Sequence, residues 1–190
     1  MGKIETEEIT AMTYAAFLRG VNNIGSKTVK MDELKYIFEA IGLRNVRSIL
    51  ASGNIIFETT IQDRQTIVTK IERQLAKKLG YEVKAVVRNV DELHSIIKSN
   101  PFSQIKLTPR TKLFLTFLSE KPNSKLKIPY KSVDNDFIIL RIASNEIYSV
   151  VKLLPNKRPY RIISFLEKEF GKNITNRSWK TILKTVNAIR

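Results

Sequence analysis

The feature that most constrains this chain is the alternation of short apolar runs with helical periodicities over residues 13–88. Thr13-Tyr14-Ala15-Ala16-Phe17-Leu18 is short, apolar and rich in aromatics, as a buried strand requires. After a polar segment from Arg19 to Lys30, Met31, Leu34, Ile37, Phe38 and Ile41 recur at helical spacing, and Gly42 supplies a stop. Asp32 and Glu33 fall in that helix's first turn, where carboxylates suit the positive end of the dipole. The stretches from Val46 to Leu50 and from Asn54 to Phe57 read as two strands around an Ala51-Ser52-Gly53 turn. From Asp63 onward Ile67, Ile71, Leu75 and Leu79 share a helical face closed by Gly80, and Val83 to Val87 reads as a fourth strand. The order β-α-β-β-α-β is the ferredoxin-like split-βαβ plan.

The second half carries a less regular pattern. Val90, Leu93, Ile96 and Ile97 predict a connecting helix ended by Asn100-Pro101. Strands are expected near Leu113 to Leu118, Phe137 to Ile142 and Ile147 to Val151, with a proline-bearing loop from Glu120 to Lys131. Two helices are expected at the end, one on Ile162, Ile163, Leu166 and Phe170, the other beginning at a Thr175 or Asn176 cap. The expected class is α+β in two lobes, the second a variant of the same plait. The boundaries read as a flexible extension over 1–12, a plait over 13–88, a connector over 89–111 and a basic lobe over 112–190.

Composition narrows the chemistry. With no cysteine, disulfide frameworks, thiol catalysis and thiolate metal sites are excluded. The single histidine, His94, falls on the polar side of the connecting helix and builds no metal site alone. No metal or cofactor is expected. No apolar run approaches the roughly 20 residues of a membrane span, so the expected location is the cytoplasm. The formal charge of +15 is uneven: residues 100–190 hold 18 Lys/Arg against 6 Asp/Glu. That excess points to polyanions.

Several fragments occur in order: Leu18-Arg19-Gly20-Val21-Asn22, Lys30-Met31, Ser52-Gly53-Asn54-Ile55-Ile56-Phe57, Asn100-Pro101-Phe102 and Thr175-Asn176-Arg177-Ser178-Trp179-Lys180-Thr181. Together they resemble the bacterial domain of unknown function 1697 family across residues 13–187. The resemblance implies two α/β-plait lobes and no particular activity. Ile24 stands where a first glycine of a pair is common, and Ser178 where asparagine usually precedes the tryptophan.

Two candidate sites follow. In the split plan, the loop after the first strand lies at the same sheet end as the turn between strands two and three. Arg19, Asn22, Asn23 and Lys30 should therefore gather with Ser52, Gly53 and Asn54, groups that suit an anion such as a phosphorylated small molecule. Within the same lobe, Glu58 and Asp32 are alternative partners for Arg19. The second candidate is a nucleic-acid surface on Lys157, Arg158, Arg161, Arg177, Lys180 and Lys184, with the last three expected on the outer face of the final helix. The open alternatives are an enzyme or sensor for a small molecule, and a protein that self-associates into a homo-oligomer. No catalytic constellation is visible, since Asp32 and Glu33 are adjacent on a helix and diverge.

Overall fold

The computed structural model describes residues 10–21, 29–50, 53–155 and 161–189. The first lobe runs β1 (Met12–Arg19), α1 (Met31–Glu39), β2 (Arg44–Ser48), β3 (Asn54–Thr59), α2 (Arg64–Leu79) and β4 (Lys84–Asn89). Its antiparallel sheet has the order β2-β3-β1-β4, the ferredoxin-like arrangement. Local chemistry agrees with the boundaries. Asp63 caps α2 by accepting from the Thr66 amide at 2.8 Å, and Gly80 ends it in the left-handed region.

α3 (Val90–Lys98) leads to the second lobe, opened by a capping box in which Asn89 and Glu92 satisfy each other's amides. There follow β5 (Thr111–Leu118), β6 (Tyr130–Lys131), β7 (Phe137–Ala143), β8 (Glu146–Lys152), α4 (Arg161–Phe170), β9 (Ile174–Ser178) and α5 (Trp179–Asn187). The sheet order is β6-β7-β8-β5-β9, every neighbouring pair antiparallel. Without β6 this is the order of the first sheet. The crossover that carries α1 in the first lobe is here an extended segment ending in edge strand β6, while α4 makes the second crossover. The two-lobed α+β reading holds.

Strand alternation sends neighbouring side chains to opposite faces, and both faces of each sheet are covered. Tyr14, Ala16 and Leu18 of β1 pack under α1 and α2 with Phe38, Phe57 and Ile71. Ala15 and Phe17 point the other way, into a cluster with Leu115 and Phe117 of β5, Leu93 of α3 and Ile182 of α5. The far face of the second sheet packs against α4 through Ile139, Ile147, Ile162 and Leu166. The sheets thus meet face to face, and Phe17 stacks on Phe117 with centroids 4.8 Å apart.

The expected start of the last helix is overturned. Residues 174–178 form strand β9, and the cap of α5 is Ser178, whose hydroxyl accepts from the Thr181 amide at 3.1 Å. Ser178 is thus an effective N-cap in this chain. Among the described residues no helix is long and apolar enough to cross a membrane.

Candidate functional site

The end of β1 lies beside the start of β3. Phe17 is opposite Asn54, and the Leu18 amide donates to the Gly53 carbonyl at 2.7 Å. A Cβ on Gly53 would come within 2.9 Å of Val21 Cγ1 at a backbone φ of +69°, so this turn requires glycine. Asn22, Asn23 and Ser52 lie outside the described residues. Lys30 is exposed at the cap position of α1.

The described polar groups at this edge are committed to the second lobe. Arg19 pairs with Glu167 of α4, displacing the Glu58 and Asp32 expectations, and its Nη1 donates to the Ile174 carbonyl at 3.1 Å. Asn54 is fully buried and works at both ends: Nδ2 donates to the Ile49 carbonyl at 3.0 Å, and Oδ1 accepts from Arg177 Nε at 2.6 Å. The same guanidinium donates to the Leu18 carbonyl at 2.5 Å and to the Asn176 carbonyl at 2.9 Å. Arg177 therefore points inward from β9, not outward from a helix as expected. Burial pushes its guanidinium down to about 10.

Arg19 and Arg177 have a further effect on β9. Ile174 and Asn176 are two residues apart, so their carbonyls leave the strand on the same edge. Arg19 takes one and Arg177 the other, closing an edge open to strand addition. Edge strand β4 is closed in the same manner. Glu72 accepts from the Ala85 amide at 2.9 Å, Arg88 Nη1 donates to the Val87 carbonyl at 3.0 Å, and Glu92 accepts from the Asn89 amide at 2.9 Å. Arg88 also reaches across the lobes, with Nε and Nη2 donating to Glu146 Oε1 at 3.0 and 2.8 Å.

Beside this junction opens a cleft of about 560 Å³, lined from both lobes by residues including Arg64, Glu72, Lys84, Ser119, Glu120 and Thr175. Cations and carboxylates are mixed there.

A more uniform site lies where β5 begins and β8 ends. Leu153 donates its amide to the Arg110 carbonyl at 2.8 Å, and Thr111 sits opposite Lys152. The Lys152 amide donates to the Asp136 carbonyl at 2.7 Å. Lys131 precedes Ser132, whose hydroxyl donates to Asp136 Oδ1 at 2.7 Å. Arg110, Lys112, Lys131 and Lys152 thus all lie at one end of the sheet and are exposed, with Lys112 and Lys152 on opposite faces of it. None of the four has a carboxylate within 4 Å among the described residues. Arg161, first residue of α4, joins them. Its seat is set by Phe165 stacking on Tyr130 at 4.9 Å, and its guanidinium pairs with Asp134 and, at 3.7 Å, with Asp136. The Asp134 bond raises the Arg161 pKa.

Of the basic surface expected from sequence, Arg161 belongs to this end. Lys180 and Lys184 are exposed on α5, Arg177 is turned inward, and Lys157 and Arg158 lie outside the described residues. Sequence reading missed Arg110, Lys112, Lys131 and Lys152, because only strand register brings them together. Among the described residues no cluster of His, Cys, Asp and Glu is fit to hold a metal.

No curated protein matches the chain. Among solved structures it is similar to the conserved bacterial protein SP0830 from Streptococcus pneumoniae. They share 20% identity and a TM-score of 0.69, over 95% of this chain and all of that one, which speaks for the fold. Methanococcus jannaschii TBP, at 11% identity over 84% of this chain and 94% of that one, has a TM-score of 0.24, too low to carry an argument. The family model described as "Protein of unknown function (DUF1697)" matches residues 12–148, and the chain belongs to that family.

Proposed function

We propose that this protein binds nucleic acid through the basic end of its second sheet, contacting phosphates rather than base edges. The observation that carries the reading is the set Arg110, Lys112, Lys131 and Lys152, brought by strand register to the rim at one end of the sheet and lacking carboxylate partners among the described residues. Cations held together without counter-charges repel one another, a cost that phosphates relieve with release of condensed counterions. The sheet surface that many plait proteins offer to RNA is not the contact here, because Ala15, Phe17 and Val86 on that face are buried against the second lobe.

The anion pocket expected around Arg19 and Asn54 receives less support, since both side chains are spent on joining the lobes. Reversing the charge of Arg110 and Lys152 tests the proposal. Each Arg110→Glu or Lys152→Glu change is expected to weaken binding to mixed-sequence DNA and to flatten its salt dependence by about one unit of slope. Lys70→Glu, on the exposed face of α2, serves as the control and should change neither. Equal losses from all three variants would mean that only net charge matters.

A further inference from the structure

The basic end contains its own competitor. Asp134 and Asp136 both reach Arg161, but they are held differently. Asp136 is buried, takes the Ser132 hydroxyl at 2.7 Å, and is fixed through its backbone by Lys152 and Ser132. Asp134 sits on the turn between β6 and β7, with a third of its side chain exposed. One acid therefore anchors Arg161 to the fold, while the other covers it from the solvent side.

The geometry points to Asp134 as an internal stand-in for a phosphate: its carboxylate occupies the position on Arg161 that a backbone phosphate would take, and so sets the affinity of the basic end. This rests on the nucleic-acid reading above. A guanidinium offers the same donor fork to carboxylate and phosphate, so the two compete for one seat. A phosphate in this place would leave Asp136 where it is, so α4 would keep its anchor. While Asp134 holds it, the Arg161 guanidinium is withheld from phosphate, and affinity is lower. Removing its charge frees one cationic contact. One added contact steepens the salt slope by about 0.9, equivalent to about eightfold in affinity near 0.1 M salt.

The experiment is a double-mutant cycle on Asp134 and Arg161, read by titration of a mixed-sequence DNA duplex at several salt concentrations. Asp134→Asn is expected to tighten binding about eightfold and steepen the slope by about 0.9. In an Arg161→Ala background the same substitution should add no slope. Asp134→Ser gives the same readout should asparagine disturb the turn. Unchanged affinity in Asp134→Asn, or equal tightening with Arg161 absent, would overturn the stand-in role. A wild-type protein that binds no duplex at low salt would instead bring down the nucleic-acid reading, and this inference with it.

Discussion

Asn54 and Arg177 are 123 residues apart in sequence and 2.6 Å apart in space, amide oxygen to guanidinium nitrogen. The pair shows how the two plaits are joined. Asn54, the first residue of β3 and itself anchored to the Ile49 carbonyl, receives an arginine from the edge strand of the second lobe. Lysine is a poor replacement, because one ammonium cannot reproduce a planar fork aimed at Asn54, Leu18 and Asn176. Arg177→Lys should leave a buried acceptor unpaired and cost about 1–3 kcal/mol, measured by urea unfolding. Arg177→Ala should also uncover the β9 edge, visible as association in light scattering. Unchanged stability in both variants would remove the junction's role.

The Phe17–Phe117 stack makes the lobes one folding unit, since each ring comes from a central strand of its own sheet. Phe117→Ala should cost about 3–5 kcal/mol. Trp179, packed edge-on against Phe102 at 5.1 Å in the same cluster, reports on that interface by fluorescence. Its transition should coincide with loss of helix by circular dichroism. Two separated transitions in the wild type would show independent lobes.

Arg88 donates through Nε and Nη2 to one oxygen of Glu146, and the two side chains are only 6% and 11% exposed. Removing one partner strands a buried charge, so Glu146→Gln or Arg88→Met alone should cost about 3–5 kcal/mol. Replacing both with apolar residues of similar volume should cost much less. A double variant as weak as the sum of the singles would show that the two charges do not interact.

Tyr148 gives the fold an alkaline limit. Burial, and then the neighbouring Glu146 charge, push its phenol up to about 12 from an ordinary 10.0, while Arg141 and Arg88 pull slightly the other way. Between those values the folded state holds a proton that the unfolded state has released, so this residue's contribution falls as pH rises from about 10 to about 12. Below that window it is constant. A phenolate absorbance titration should show one late step, absent in Tyr148→Phe. Its persistence in that variant would assign it to another tyrosine.

The first lobe was legible because its strands and helices bury regular faces: Leu34, Ile37 and Phe38 on α1, and Ile67, Ile71 and Leu75 on α2, all lie inward as their spacing predicts. β9 was not legible. Its residues Thr175, Asn176 and Arg177 are polar because they serve other strands: Thr116 donates to Asn176 at 2.9 Å and Arg177 joins the lobes. Hydrophobic alternation, the signal for a strand, is absent where the side chains do polar work. For the same reason the sequence pattern places Arg177 on a surface. β6 was too short to leave a period. Glu167, the partner of Arg19, lies 148 residues away, a pairing no local pattern reveals.

In the proposed function the cations at the start of β5 and the end of β8 meet phosphates. Its most direct test is the affinity of the wild-type chain for mixed-sequence duplex DNA as a function of salt. Four to five phosphate contacts predict a log–log slope of about −4. The slope should become shallower by about one unit for each of Arg110→Glu and Lys152→Glu. A slope near zero, no binding at low salt, or a slope that ignores both substitutions would contradict the account.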